Sequence, residues 1–208
     1  KMAGKFNSVL TKVNFRHAYS HLTDVLASDP FKNMEGLNGD IPFHICPFEP
    51  RLQNDINVLV KQIKNYLIDA QVKALEINLY DLVIELCKEE DDWEWLLENE
   101  ATMSKQEFKE EIQGIIDTKT VLIPAIVQKM SENTFDILII TGVGEVYPYI
   151  RSSNLLENLQ IKAKEKPTLM FYPGQYKHSV EKGTSLVLFG TLEDDKYYRA
   201  FNILDRAV

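Results

Sequence analysis

Phe135-Asp-Ile-Leu-Ile-Ile-Thr-Gly142-Val-Gly144-Glu145-Val-Tyr147-Pro148-Tyr149-Ile-Arg151-Ser-Ser-Asn-Leu-Leu156 is the stretch whose reading decides the fold. Ile137 to Ile140 is continuously apolar and mostly β-branched, the signature of a strand covered on both faces. Gly142 and Gly144 then turn the chain. Pro148 suits a first helical turn, and apolar residues resume at helical spacing as far as Lys162. Strand, glycine turn and helix make half of a βαβ unit. Ligands and partners of open α/β sheets gather at the carboxyl ends of such strands. A functional site is therefore expected in or beside Gly142 to Arg151.

Downstream, Lys166 to Tyr172 reads as a further strand closed by Pro173-Gly174. Ser185 to Phe189 reads as another, closed by Gly190. About a dozen residues separate them, the lower limit for a crossover, so an antiparallel pairing stays open. Tyr197 to Ile203 is expected to form a short edge strand or to cover the sheet.

Upstream, Val121 to Met130 is helical in pattern, as are Leu79 to Lys88, Trp93 to Leu97 and Ser104 to Ile116. Ser104 with Glu107 forms a capping-box pair. Lys73 to Asn78 alternates as a strand. Arg51 to Ala70 carries one apolar helical face, formed by Leu52, Ile56, Leu59, Val60, Ile63, Tyr66 and Leu67. Ile41 to Phe48 is a strand with prolines near its ends. Residues 5 to 28 suggest two short helices whose phase slips at Asn14, an expected N-cap. Met34 to Asp40 is a loop between an N-terminal helical arm (residues 1–35) and the main domain (36–208). The alternation after residue 40 predicts a single three-layer, Rossmann-like α/β domain. Its sheet should be mostly parallel, of about five strands, and preceded by N-terminal helices.

Composition excludes several classes. The chain has 208 residues, 45% of them apolar. No window approaches the roughly 18 consecutive apolar residues of a membrane span, and no basic-then-apolar leader is evident. A cytoplasmic location without a membrane partner is expected. Cys46 and Cys87 are the two cysteines and read as buried free thiols rather than a disulfide framework. The formal charge of −8 is uneven: Glu85 to Asp117 holds twelve acidic residues and three lysines. With no basic excess, direct nucleic-acid binding is not expected. The acidic run reads as a solvated face, or more sharply as a docking surface for a basic partner. It lacks the alternating pattern of a calcium loop.

The motifs of established chemistry are missing. A P-loop would place G-x-x-x-x-G-K-[ST] after the first strand; here the turn is Cys46-Pro-Phe-Glu49-Pro-Arg51, without a glycine or lysine to cradle phosphates. Gly142-Val-Gly144-Glu-Val-Tyr147 lacks the third glycine of a dinucleotide fingerprint. There is no G-x-S-x-G elbow. His17 and His21 stand four apart without a nearby acidic or cysteine partner, so no metal site is expected. Glu49 and Arg51, at a strand end and helix start, suit an anion, a partner or a local ion pair. Glu145 and Arg151 read as an ion pair across the strand-to-helix turn. Tyrosines cluster beside proline and glycine at strand ends: Tyr147-Pro-Tyr149, Phe171-Tyr172-Pro-Gly174-Gln-Tyr176 and Tyr197-Tyr198-Arg199. Aromatic residues and arginine at one sheet edge are the composition of a binding hot spot.

Several segments in fixed order resemble the BrxB family. They are Ile41-Pro-Phe through Pro47-Phe-Glu-Pro50, Leu75-Glu-Ile-Asn-Leu79, Leu122-Ile-Pro-Ala125, Thr141-Gly-Val-Gly-Glu-Val-Tyr-Pro-Tyr-Ile-Arg151, Phe171-Tyr-Pro-Gly174, Leu188-Phe-Gly190 and Tyr197-Tyr-Arg-Ala-Phe201. The resemblance runs from about residue 36 to the end. BrxB proteins are small cytoplasmic components of bacterial and archaeal BREX phage-exclusion systems. The resemblance implies an adaptor in antiviral defence that binds the alkaline-phosphatase-like PglZ and acts beside the ATPase BrxC and the methyltransferase PglX. It brings no catalytic residues and no cofactor. The expectation is a non-enzymatic interaction subunit; the alternative is a degenerate nucleotide-binding module without a P-loop.

Overall fold

The structure, a computed structural model, describes residues 5–37, 42–91, 93–179, 183–189, 192–194 and 200–207. Its strands are β1 (Phe43–Phe48), β2 (Ala74–Asn78), β3 (Ile137–Thr141), β4 (Thr168–Ser179), β5 (Gly183–Leu188), β6 (Leu192–Asp194) and β7 (Phe201–Asn202). The parallel sheet runs in the order β2-β3-β4-β1-β7. Its helices are α1 (Ala18–Leu26), α2 (Asp29–Lys32), α3 (Gln53–Asp69), α4 (Leu79–Glu89), α5 (Trp93–Asn99), α6 (Lys105–Ile115), α7 (Ile123–Glu132) and α8 (Ser152–Lys162). Among the described residues no helix is long and apolar enough to cross a membrane.

β3 lies between β2 and β4, and its five residues are all buried. Ile137 and Ile139 face one core with Leu22 and Val25 of α1 and Ile56, Leu59 and Ile63 of α3. Leu138 and Ile140 face the other, with Leu82 of α4, Leu96 of α5, Ile112 of α6, Ile126 of α7 and Leu155 of α8. Alternation along a strand sends successive side chains to opposite faces. Only a continuous apolar run can fill both cores. The β1-to-β2 connection travels one way along the sheet and the β2-to-β3-to-β4 connections travel back. Right-handed crossovers in opposite directions put their helices on opposite faces, giving the three-layer α/β domain.

Four local expectations are corrected. Residues 5–13 do not form a helix. Asn7 and Ser8 take left-handed backbone angles (φ 46° and 62°), and Leu10 forms an isolated parallel bridge with Phe48. The Leu10 amide donates to the Pro47 carbonyl (2.9 Å) and the Glu49 amide to the Leu10 carbonyl (2.9 Å). The helix-like spacing of Phe6 and Leu10 is used instead to bury both against Cys46 and Phe48. Asn14 holds the N-cap position of a short 3-10 turn, Phe15–His17, but its side chain clasps the preceding loop instead of capping: it accepts from the Thr11 amide (2.8 Å) and donates to the carbonyls of Phe6 (3.0 Å) and Val9 (2.8 Å).

β4 does not stop at Pro173-Gly174. It is parallel to β1 as far as Phe48↔Pro173 and antiparallel to β5 from Gly174↔Leu188, which settles the open pairing. A Cβ at Gly174 would collide with the Val187 carbonyl oxygen, so the glycine admits the neighbouring strand instead of ending its own. The helix after β3 starts at Ser152, leaving Pro148 in the preceding turn. The helix expected from Val121 begins with a wider π-type turn, Thr118–Leu122, held by the Asp117 side chain. Phe201–Asn202 pairs with β1 as an edge strand, whereas Tyr197, Tyr198 and Arg199 lie outside the described residues.

Candidate functional site at the carboxyl edge of the sheet

The parallel strands β2, β3, β4 and β1 reach one edge together, so the turn after β2, the turn after β3, the Pro173-Gly174 passage of β4 and the turn after β1 adjoin in that order. The turn after β3 is wedged between the first and third of these by its two glycines. Gly142 has φ +77°, and a Cβ there would lie 2.7 Å from Asn78 Oδ1 and 3.1 Å from the Tyr80 nitrogen. Asn78 caps α4, its Oδ1 accepting from the amides of Tyr80 (3.0 Å) and Asp81 (3.2 Å). The donors that an anion would use at this helix terminus are thus taken by Asn78 and roofed by Gly142. A Cβ at Gly144 would lie 2.8 Å from Pro173 Cγ and 3.3 Å from Phe189 Cε1. The G-x-G pair admits protein on both sides.

Val143, Val146 and Ile150 anchor the turn in the core. The Glu145 amide donates to the Gly142 carbonyl (3.1 Å) and the Ile150 amide to that of Val146 (3.1 Å). From the far side, α6 supports it: Gln113 Nε2 donates to the carbonyls of Pro148 (3.4 Å) and Tyr149 (3.5 Å). Phe108 meets the Tyr149 ring edge-on at 6.5 Å. Tyr147 meets Phe189 edge-on at 5.8 Å. Tyr147 and Tyr149 are half-buried, and Phe189 is 37% exposed with φ +53°. The result is a fixed aromatic ridge with one side in solvent.

Gly142, Gly144, Glu145, Tyr147, Tyr149 and Arg151 are therefore brought together. Glu145 and Arg151 are both exposed, but no ion pair joins them. Glu49 and Arg51 share the same edge beyond β4, where Arg51 Nε donates to Glu49 Oε2 at 2.7 Å. That pair is 66% exposed at Arg51 and contributes little in high dielectric. Arg51 also borders a recess of about 310 Å³ with Lys12, Phe15, Leu52 and Asp55. Tyr172 and Gly174 are interior, Tyr172 being only 1% exposed. Tyr176 is half-buried and its hydroxyl donates to the Ala200 carbonyl (2.7 Å). It faces a cavity of about 700 Å³ bordered by Ser8, Glu35, Asn202, Asp205 and Arg206.

Sequence reasoning missed Phe189 and Tyr80. Tyr80 is 45% exposed and its backbone lies against the Gly142 turn. A strand ending in Asn immediately before a helical pattern was the available signal for Tyr80. Phe189 looked like the last residue of a strand.

Burial shifts the titratable groups of the interior. Burial lowers the His44 imidazole to about 4, helped by the Arg206 guanidinium and opposed by the Pro42 carbonyl. Burial pushes the Cys46 thiol up, and raises Cys87 to about 11 with help from Glu90. Such thiols are poor nucleophiles at neutral pH. His21 Nε2 lies 3.0 Å from the Ile203 carbonyl, and Arg16 Nε donates to His17 Nε2 at 3.2 Å. Among the described residues no group of three or more His, Cys, Asp or Glu could hold a metal ion.

The chain is similar over most of its length to two curated proteins. It is 29% identical over 187 residues to "BREX protein BrxB" of Bacillus cereus (strain H3081.97), covering 85% of this chain and 90% of that protein. It is 24% identical over 185 residues to "BREX protein BrxB" of Escherichia coli O9:H4 (strain HS), covering 89% of each. No solved structure matches. The family model described as "BREX protein BrxB" matches residues 75–203, a span that runs from β2 through the glycine turn and the aromatic ridge to β7, and the chain belongs to the BrxB family.

Proposed function

We propose that this chain is a non-enzymatic adaptor of a BREX anti-phage defence assembly, and that it binds the alkaline-phosphatase-like component PglZ through the carboxyl edge of its sheet. BrxC and PglX are further partners in this reading, and the adaptor works in the cytoplasm. Membership of the BrxB family supports the assembly. One observation carries the choice of surface: both glycines that could have opened a phosphate-binding turn are filled by protein, while the Tyr147–Phe189 pair beside them stays partly in solvent. A turn packed shut from two sides suits a rigid docking surface better than a nucleotide cradle. Half-exposed aromatic rings held in one geometry lose little side-chain entropy on binding.

Calorimetric titration with ATP, GTP and NAD separates this reading from a degenerate nucleotide-binding module. The expected result is no binding tighter than about 100 μM, roughly −5.5 kcal/mol. A tighter nucleotide would overturn the pure-adaptor reading.

A further inference from the structure

Glu89 to Ser104 contains seven carboxylates and no Lys, Arg or His. Within this stretch, α5 buries Leu96 and packs the partly buried Trp93 against the core. Its outward positions are Glu94, Trp95, Leu97 and Glu98, with Trp95 54% and Leu97 47% exposed. Glu94 and Glu98 are four apart, a like-charge pairing that costs helix stability. Glu98 sits in the last turn, where a negative charge opposes the helix dipole. Among the described residues no cation pairs with either: the pairs Lys32–Asp29, Arg51–Glu49, Lys64–Glu76 and Lys129–Glu85 all lie elsewhere. Helical spacing puts Glu98 beside Trp95, three residues after it on α5. More than half of this indole is left in water, next to Glu94 and Glu98, which no cation among the described residues pairs. The arrangement suits a cation, which meets the ring face by a cation–π contact and the carboxylates by charge-assisted hydrogen bonds.

We propose that the outer face of α5 docks an arginine-bearing basic segment of a partner protein, with a guanidinium over Trp95 and neighbouring cations on Glu94 and Glu98. Arginine fits better than lysine because its planar fork stacks on aromatic rings and pairs with carboxylates two-pronged. This is a second surface, independent of the aromatic ridge and of its occupant.

The test titrates the intact chain with a synthetic helical peptide carrying arginines four apart beside leucines. It is read by calorimetry and by tryptophan emission. Trp93 and Trp95 are the two tryptophans of the chain, so emission reports this face. Binding should change the emission and weaken roughly tenfold between about 50 and about 300 mM salt. It should also weaken roughly tenfold in Trp95→Ala and in the double variant Glu94→Gln/Glu98→Gln. Tyr147→Ala should bind the peptide as the parent does. Trp95, Glu94 and Glu98 are exposed and Tyr147 is half-buried, and thermal unfolding checks that each variant is folded. Absence of binding, or unchanged affinity in the two α5 variants, would overturn the proposal. So would concentration-dependent self-association lost in Trp95→Ala, which would give this face to a second copy of the chain.

Discussion

His44 stands in β1 with the rings of Phe31 and Phe201 beside it, at 4.8 and 5.7 Å between centroids, and Arg206 Nη1 3.2 Å from its Nε2. A guanidinium only donates, so that nitrogen is the acceptor and the ring is neutral. Arg206 also donates to the Glu35 carbonyl (2.9 Å) and lies over the Phe31 ring at 5.5 Å, tying the C-terminal segment to the N-terminal one. The sign of the pH effect follows. The folded value of about 4 lies below the ordinary 6.5, so as pH falls through about 6.5 the unfolded chain takes up a proton that the folded chain refuses. Stability should fall by about 3 kcal/mol between pH 6.5 and 4. Glu107 and Asp117, held low chiefly by hydrogen bonds from Ser104 and Thr120, lose their contribution at still lower pH, below the ordinary carboxylate range. Urea unfolding at several pH values should show the slope in the parent and a flatter one in His44→Gln. Equal slopes would mean that another group titrates. The strand that carries this histidine was readable in the sequence. The histidine's partner was not, because the Arg206 contact spans most of the chain.

At the scale of the element, the turn after β3 behaves as a keystone between β2 and β4. Gly142→Ala must hold alanine at a left-handed angle against Asn78 and should cost about 2 kcal/mol. Gly144→Ala presses on Pro173 and should cost about 1–3 kcal/mol. Denaturant titration without any ligand measures both. Stability unchanged in both variants would mean that the glycines serve an approaching ligand instead. The strand and the following helix were legible because burial on both faces leaves a continuous apolar run and a 3.6-residue period leaves a stripe. The Ser104–Glu107 capping box was legible for a similar reason, since its logic is local: the Ser104 amide donates to Glu107 (2.8 Å) and the Glu107 amide to Ser104 Oγ (3.2 Å). The course of β4 was not legible. Pro173-Gly174 has the composition of a strand end, and only the close approach of β5 shows that it is a passage from parallel to antiparallel pairing. Residues 5–13 misled in the opposite way, through a spacing that a folded-back segment satisfies as well as a helix does.

Across the whole molecule, both proposed docking sites are surfaces rather than pockets. The sheet's carboxyl edge carries the glycine turn and the Tyr147–Phe189 ridge. α6 supports that turn through Gln113 and Phe108. The acidic stretch that includes α5 lies on the same side of the sheet, since α4 to α8 share one core. Charge asymmetry and the crowding of glycine, proline and tyrosine at strand ends were visible in the sequence. Which tyrosines stay accessible was not, because Tyr172 and Tyr147 have similar neighbours in sequence, yet Tyr172 is fully buried and Tyr147 only half-buried in the fold. The most direct measurement is calorimetric binding of the purified chain to the purified PglZ component, with Tyr147→Ala/Phe189→Ala as the comparison. The account expects the parent to bind and the double variant, still folded, to bind at least about tenfold more weakly, a loss of about 1.4 kcal/mol or more. Equal affinity in the two proteins, or no binding by the parent, would contradict it.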